Sequence, residues 1–121
     1  MLIDLHTHST ACDGTEPPAV AVAQAVAACL DGVALTDHDT TLGWDEAAGA
    51  ARHHGIRLVP GIEVSCSRYH ESIHLLAYLP DPSHAALVDE LERARRSRDT
   101  RLDAMVAKMA PTSAPMSTVR Q

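Results

Sequence analysis

Residues 1–10 read MLIDLHTHST, in which an apolar run is followed by histidines. Later parts of the chain also combine apolar runs with histidines or carboxylates. Met1 to Leu5 is a short apolar run that predicts a buried strand. His6 and His8 follow it directly, and side chains two residues apart on an extended backbone point to the same side, about 7 Å apart. Two imidazoles in this arrangement can converge on one cation. The alternative is a pair of loop histidines that bond only to backbone groups.

Three further apolar runs have the length and composition of strands. Gly32 to Thr36 is the second strand, and Arg57 to Val64 is the third. Pro60-Gly61 interrupts the third run and predicts a bulge or a break into two pieces. Ser72 to Leu79 is the fourth strand.

Three helices are predicted between and after these strands. The third is long, because its apolar residues recur at three- to four-residue steps apart from one gap at Arg98. Cap and turn residues predict the boundaries of all three. The first helix is predicted from Thr15 as N-cap to Cys29 or Leu30, with Gly32 in the C-terminal cap region. The second runs from Leu42 to His54, with Thr40 or Thr41 as N-cap and Gly55 at its end. The third starts at Asp81-Pro82-Ser83 and ends at about Met109.

The resulting order, β-α-β-α-β-β-α, predicts an α/β fold with a largely parallel sheet. Such sheets carry their functional residues at the carboxyl ends of the strands. One domain is predicted over residues 1–110. From Pro111 onward the periodicity stops, and residues 111–121 are predicted to form a disordered tail.

The composition argues against several classes of protein. The formal net charge is −6, so a basic surface that follows a long nucleic acid is not expected, and aromatic residues are too few for stacking platforms. The three cysteines match no zinc motif and are predicted to be free thiols in a cytoplasmic protein. No apolar run approaches the roughly 18 residues of a membrane span. Eight histidines in 121 residues point to metal or acid–base chemistry.

Carboxylates and histidines also follow or interrupt the other strands. His38 lies between Asp37 and Asp39, and either carboxylate could bind a metal, orient the imidazole or cap a helix. Glu63 lies in an apolar segment, where an unpaired carboxylate is costly and needs a cation. His74 is also surrounded by apolar residues, so it is either a hydrogen-bonded core histidine or a ligand of the same metal as Glu63.

The candidate ligands form a set with mixed nitrogen and oxygen donors. Structural zinc sites are closed four-ligand cages that are usually rich in cysteine, whereas mixed donors suit catalytic zinc, manganese or iron. Two or more such ions a few ångströms apart suit the hydrolysis of phosphate esters. The set consists of His6, His8, Asp13, His38, Glu63 and His74.

Four motifs in this order resemble the N-terminal motifs of the polymerase and histidinol phosphatase (PHP) superfamily: LIDLHTHSTACDGT, ALTDHDTTLGWDEA, PGIEVS and IHLLAY. The resemblance extends over about Met1 to Met109. It is strongest to the stand-alone branch, which acts on nucleoside 3′,5′-bisphosphates and trims short RNA from its 5′ end. It implies that this chain is the N-terminal part of a distorted (β/α)7 barrel with up to three divalent metal ions.

The same resemblance implies a role for each candidate ligand. His6 and His8 match the pair on one metal, Glu63 matches a carboxylate that bridges two metals, and His74 matches a ligand of the second. Asp13 and His38 match ligands of the third. A hydroxide activated by the metals would then attack phosphorus, with Asp13, His38 and Glu63 as the catalytic residues. The implied partner is a nucleotide or a short oligonucleotide, with no membrane involved.

Members of the superfamily are longer than this chain, and their later motifs supply another histidine and an Asp-x-His pair. We therefore expect the 121-residue chain by itself to be impaired or inactive. Three alternatives remain open. The chain could be a truncated fragment that binds metal without turnover, a histidinol-phosphatase-like enzyme, or the PHP module of a DNA polymerase.

The remaining polar residues have simpler interpretations. His53, His54, His70 and His84 are predicted to lie on the surface. The arginines between Arg93 and Arg101 alternate with acidic residues and predict a solvated helix face, with contact to a substrate phosphate as the alternative. Trp44 is expected to pack near the start of its helix. Cys12 has no neighbour in the sequence that would activate its thiol.

Overall fold

The structure, a computed structural model, describes residues 1–109. Its element order is the predicted β-α-β-α-β-β-α, which confirms the α/β class. The predicted tail over 111–121 lies outside the described residues. The elements are β1 (Ile3–Thr7), α1 (Pro18–Ala27), β2 (Gly32–Leu35), α2 (Trp44–His54), β3 (Arg57–Arg68), β4 (Glu71–Tyr78) and α3 (Ala85–Met109).

The four strands form one sheet in the order β1-β2-β3-β4. β1 pairs with β2 and β2 pairs with β3 in parallel, whereas β4 returns along β3 as an antiparallel hairpin partner. Parallel pairing follows from the helical crossovers α1 and α2, and antiparallel pairing follows from the short turn after β3. The sheet curls into a half-barrel, and its carboxyl-terminal end carries the polar loops.

The expected interruption of β3 at Pro60-Gly61 is wrong, because β3 continues to Arg68 as one strand. It changes partner at these residues. Pro60 is the last residue in register with β2, and Gly61 is the first in register with β4. A Cβ atom at Gly61 would lie 2.9 Å from Cγ2 of Thr36 and 3.0 Å from the carbonyl oxygen of Ala77. Glycine therefore lets three segments approach closely where the pairing changes.

The core lies between the sheet and the two crossover helices. Every residue of β2 is buried, so β2 is the central strand of the fold. Its Val33 and Leu35 pack into one cluster with α1 and α2. The helices contribute mostly small side chains, which bring their backbones close to the sheet. These buried helix residues are Val22, Ala25, Ala47 and Ala51.

The helix starts differ from the sequence-based expectations. Thr15 does not cap α1, because Pro17 occupies the N-cap position and Pro18 is the first helical residue. Gly43 occupies the N-cap position of α2, and neither helix has a side-chain cap hydrogen bond. Thr40 instead accepts a hydrogen bond from the amide of Leu42 within the preceding loop. Proline pre-sets the helical φ angle, so α1 can begin without a capping side chain.

Helix ends are set by single residues with left-handed backbone. Gly55 ends α2 with φ 70°, as predicted. α1 ends earlier than expected, and Cys29 rather than Gly32 takes the left-handed conformation, with φ 62°. Gly32 is instead the first residue of β2. None of the helices within residues 1–109 is long and apolar enough to cross a membrane.

Candidate metal centre

The six candidate ligands lie together where β1 and β2 end and where β3 and β4 pass beside them. Glu63 lies three residues beyond Pro60, the last partner of β2, and forms a parallel bridge with His38 in the following loop. This register places the carboxylate level with the loops. The six-residue cluster consists of His6 in β1, His8 and Asp13 in the loop after β1, His38 in the loop after β2, Glu63 in β3 and His74 in β4.

The Glu63 carboxylate is the centre of the cluster and contacts four imidazoles. Its Oε1 makes a short contact with Nε2 of His6 and lies 3.1 Å from Nε2 of His8. Its Oε2 lies 3.0 Å from Nδ1 of His74 and 3.4 Å from Nδ1 of His38. Burial opposes the charge, but the hydrogen bond with His6 and the charges of the nearby histidines hold the pKa of Glu63 below its ordinary value.

Asp13 joins the same cluster from the loop after β1. Its Oδ1 lies 3.7 Å from Nδ1 of His8, and its Oδ2 lies 3.3 Å from Nε2 of His38. Burial opposes its charge too, yet hydrogen bonding with Cys12 and the charges of His38 and His8 lower the pKa of Asp13. Both carboxylates therefore favour the ionised form that binds cations.

His38 carries the clearest sign of a missing partner. Its Nδ1 atom is buried and, although it lies 3.4 Å from Oε2 of Glu63, makes no hydrogen bond with any described residue. Burial lowers the pKa of His38, which favours the neutral imidazole with a free lone pair. A buried polar atom without a partner is unfavourable, and a neutral imidazole is a common metal ligand. The cluster therefore fits a divalent cation for two reasons: its donors are imidazole nitrogens and carboxylate oxygens, and Nδ1 of His38 has no hydrogen bond to a described residue.

Three overlapping sets within the cluster each bring ligand atoms within 4.8 Å of one another. Glu63 belongs to two of the sets, as His8 and His38 also do. Histidine nitrogen and carboxylate oxygen are compatible with manganese, iron or zinc. The sets are His6, His8 and Glu63; His38, Glu63 and His74; and His8, Asp13 and His38. Ligation by these six residues stays a prediction from the sequence.

Asp37 fastens the His38 loop to the loop that carries His8. Its carboxylate accepts hydrogen bonds from the Ser9 amide at 2.6 Å and the Ser9 hydroxyl at 2.7 Å. Ser9 and Asp37 are both buried. The thiol of Cys12 also donates to Asp37, at 3.1 Å. Asp37 therefore positions two ligand-bearing loops, and its interpretation as a helix cap is wrong.

Asp39 fastens the same loop to β3. Its carboxylate accepts hydrogen bonds from the Ser65 amide at 2.8 Å and the Ser65 hydroxyl at 2.7 Å. Its own amide donates to the carbonyl oxygen of Glu63 at 3.2 Å. Asp39 is fully buried and adopts φ 55°, and it precedes α2 by several residues. It therefore joins His38 to the strand of Glu63 and is not a helix cap either.

Two arginines of α3 that sequence reasoning treated as solvated contact Asp39. Arg98 donates from Nη2 to the Asp39 carboxylate at 2.7 Å, and Arg95 donates to the Asp39 carbonyl oxygen at 3.0 Å. The solvated-face interpretation holds for Arg93 and Arg96, which pair with acidic residues on the same helix. The gap in the apolar spacing at Arg98 was the available signal, because it marks a helix position that faces the body of the protein.

The remaining polar residues follow the sequence-based expectations. The four histidines outside the cluster are exposed. Trp44 lies at the start of α2 and donates from Nε1 to the carbonyl oxygen of Gly61 at 3.0 Å. The three cysteines are free, and burial raises the pKa of Cys12 to about 12, so its thiol is not activated.

Residues 4–98 match the family model of the PHP domain. Two curated relatives are each 39% identical to this chain: the 5′-3′ exoribonuclease of Haemophilus influenzae and the 3′,5′-nucleoside bisphosphate phosphatase of Chromobacterium violaceum. The alignments cover 81% and 88% of this chain. They cover only 36% and 38% of the relatives, so the chain spans less than two fifths of their length.

Two solved structures share the fold. A candidate metal-dependent phosphoesterase of Bifidobacterium adolescentis superposes with a TM-score of 0.88 at 37% identity, over 95% of this chain and 40% of its own. An amidohydrolase of Chromobacterium violaceum, solved with sulfate and no metal, superposes with a TM-score of 0.87 at 36% identity, over 96% of this chain and 41% of its own. The family match extends over more than half of the chain and contains all six residues of the cluster, so the chain belongs to the PHP domain family.

Proposed function

We propose that the six-residue cluster is the metal-binding part of a phosphoesterase centre that acts on nucleotide phosphates. The observation that carries this proposal is the position of Glu63. One buried carboxylate lies between two sets of histidines, with a separate oxygen directed to each set. A carboxylate placed in this way can hold two cations side by side, which is the arrangement that suits in-line displacement at phosphorus.

The proposed roles follow the three sets of ligand atoms. His6 and His8 would hold one ion together with Glu63, and His38 and His74 would hold a second with the same carboxylate. Asp13 completes the third set with His8 and His38. Divalent ions at these positions supply Lewis-acid polarisation of the phosphate oxygens and a water of lowered pKa. We propose manganese, iron or zinc, because these ions accept mixed nitrogen and oxygen ligands.

The residues of the chain contribute binding and orientation. Asp37 and Asp39 fix the loops that carry His8 and His38, so the ligand atoms are held in place before any ion arrives. Burial of Glu63 and the low exposure of His38 keep water away from one side of the cluster. The chain is acidic overall, so attraction of an anionic substrate depends on the cations at this centre.

The substrate class comes from the relatives and from the charge of the chain. The two curated relatives named above are a nucleoside bisphosphate phosphatase and an exoribonuclease. Sulfate, which is present in one structural relative, is a tetrahedral anion like phosphate. The chain carries few aromatic residues and a net charge of −6, which suits a mononucleotide or a short oligonucleotide better than a long nucleic acid.

A metal-binding role without turnover is the second candidate. The side chains of His6 and His74 are about half exposed, at 51% and 46%, on the two edge strands of the sheet. The chain also spans less than two fifths of the length of the two relatives. We therefore expect low or absent turnover by the 121-residue chain alone, even when it binds metal.

Metal content and phosphate release test the two candidates together. The purified chain is loaded separately with manganese, iron or zinc, dialysed extensively and analysed for metal per chain. Phosphate release from a nucleoside 3′,5′-bisphosphate is then measured for the wild type, for Glu63→Gln and for Glu71→Gln, whose carboxylate is exposed on β4. Two or three equivalents of metal in the wild type and in Glu71→Gln, but not in Glu63→Gln, support the metal centre. Phosphate release that requires metal and is lost only in Glu63→Gln supports catalysis. Metal binding without turnover supports the second candidate, and absence of binding contradicts both.

A further inference from the structure

Asp39 is a fully buried carboxylate next to a proposed ligand, and it is not itself in any of the three ligand sets of the cluster. Its Oδ1 accepts the Ser65 amide, and its Oδ2 accepts both the Ser65 hydroxyl and Arg98. A buried carboxylate is stable only when hydrogen bonds and an opposite charge compensate its lost hydration. The two donors from Ser65 are neutral, so the compensating charge comes from α3.

One nitrogen of Arg98 contacts both Asp39 and Ser65, and these three side chains form a junction between α3, the His38 loop and β3. Its Nη2 lies 2.7 Å from Oδ2 of Asp39 and 2.9 Å from the hydroxyl oxygen of Ser65. Arg95, three residues earlier and on the same face of α3, donates to the Asp39 carbonyl oxygen. Among the described residues of α3, Leu91 is the one that is fully buried. Polar contacts to Asp39 are therefore a large part of what fastens α3 to the sheet.

The junction also sets a distance inside the metal centre. Asp39 follows His38 directly, and Ser65 lies two residues beyond Glu63 on the same face of β3. Backbone hydrogen bonds already join Asp37 and Asp39 to Glu63, and the bonds between the Asp39 side chain and Ser65 add to them in holding the His38 loop against the Glu63 strand. Without a compensating charge, a buried carboxylate would turn toward water and draw the loop away from β3.

We propose that Arg98 is a positioning residue for the metal centre. By neutralising Asp39, it holds the His38 loop against the Glu63 strand, and it thereby couples the docking of α3 to the affinity for metal. This inference rests on the proposed function, because it assigns Arg98 a role in the same metal centre. The loop that carries His8 has a separate fastening through Asp37 and Ser9, which does not involve α3.

The test compares metal affinity in two arginine variants of the same helix. Arg98→Gln removes the charge at Asp39, whereas Arg96→Gln removes an exposed arginine whose nearest acidic partner, Glu92, is 4.0 Å away. Manganese is titrated into the full chain by calorimetry, at a temperature where circular dichroism shows each variant to be folded. We expect Arg98→Gln to lose about 10- to 100-fold in affinity. Arg96→Gln is expected to stay within about twofold of the wild type.

A spectroscopic readout separates positioning from general stability. Cobalt(II) absorption in the visible range reports the ligand geometry, and we expect Arg98→Gln to change the spectrum of the bound ion while Arg96→Gln does not. A lower melting temperature with unchanged manganese affinity and an unchanged cobalt spectrum would show a purely structural role and overturn the inference. Failure of the wild type to bind manganese would instead contradict the proposed function.

A double-mutant cycle tests whether the two charges act as a pair. The cycle compares Asp39→Asn, Arg98→Gln and the double variant, in which neutral amides replace both charged groups. If Arg98 acts through Asp39, the double variant loses no more metal affinity than Arg98→Gln alone. Losses that multiply would show that Arg98 acts independently of Asp39 and would contradict the proposal.

Discussion

The hydroxyl of Tyr78 donates a hydrogen bond to the carbonyl oxygen of Leu5 at 2.7 Å, although the two residues lie on opposite edge strands of the sheet. The side chain passes close to Gly61 on its way across the concave face. This contact closes the arc of the half-barrel. The same two edge strands carry His6 and His74, whose ring nitrogens contact different oxygens of the Glu63 carboxylate.

Tyr78→Phe removes this cross-sheet hydrogen bond and keeps the ring. We expect the free energy of unfolding to fall by about 0.5–1.5 kcal/mol, as for a typical hydrogen bond, measured by urea denaturation. Tyr69→Phe is the matched control, because Tyr69 is 83% exposed and its ring keeps the contact with Arg68. Equal stability of the two variants would mean that the Tyr78 hydroxyl does not hold the arc.

Two glycine substitutions are expected to have opposite effects on stability. Gly61→Ala places a Cβ atom within 3.0 Å of Thr36 and Ala77, so we expect a loss of about 1–3 kcal/mol. Gly49→Ala lies in the interior of α2, where the nearest contact is 3.9 Å away, so we expect a gain of about 0.5–1 kcal/mol. The denaturant midpoints of the two variants, compared with the wild type at constant m-value, measure both changes in the free energy of unfolding. A Gly61→Ala variant as stable as the wild type would contradict the close approach of segments at Gly61, where β3 changes its pairing partner.

Substitution of His38 separates the ligand sets. His38 belongs to two sets, whereas the set of His6, His8 and Glu63 does not include it. We therefore expect His38→Ala to bind one equivalent of manganese, and fewer than the wild type, by elemental analysis after dialysis. His53→Ala, at the exposed end of α2, is expected to match the wild type. Unchanged stoichiometry in His38→Ala would remove this histidine from the proposed centre.

Metal binding is expected to stabilise the folded chain. A ligand at 100 times its dissociation constant raises the free energy of unfolding by about 2.7 kcal/mol when it binds only the folded state. We expect manganese to raise the melting temperature of the wild type and of Glu71→Gln, and a chelator to reverse the rise. Glu63→Gln should show little or no rise, because it loses the carboxylate shared by two sets. An equal rise in Glu63→Gln would place the stabilising ion elsewhere.

Local patterns in the sequence predict most of the fold. Short apolar runs, helical spacing and Gly55 depend on residues close in the chain, and the structure confirms the elements that they predict. The cap predictions, Thr15 for α1 and Thr40 or Thr41 for α2, were wrong, because Pro17 and Gly43 occupy the N-cap positions and the Thr40 hydroxyl accepts a hydrogen bond within its own loop. A short-range hydrogen bond between a threonine hydroxyl and a nearby loop amide competes with helix capping.

The residues that support the proposed metal centre could not be predicted in the same way. His6, His8 and Glu63 stand out because an imidazole pair or a carboxylate interrupts apolar sequence. Arg98 and Asp39 are 59 residues apart, and only the folded chain brings the guanidinium to the carboxylate. A charged residue in a charged helix has no distinctive local pattern. The pairing of Arg98 with Asp39 becomes apparent only in the folded chain, where the buried Asp39 carboxylate needs an opposite charge.

The sharing of Glu63, His8 and His38 among the ligand sets has a consequence for the order in which ions bind. In the proposed centre, a first cation would draw the shared side chains toward itself, and a second would then meet a geometry already fixed but also a repelling positive charge. The uptake curve is therefore expected to show coupled steps with unequal affinities, because occupancy at one position changes the free energy of binding at the next. At concentrations of free metal between the dissociation constants of the first and second steps, singly loaded chains should be the main species, so the concentration of free metal itself would control how much of the fully loaded form is present.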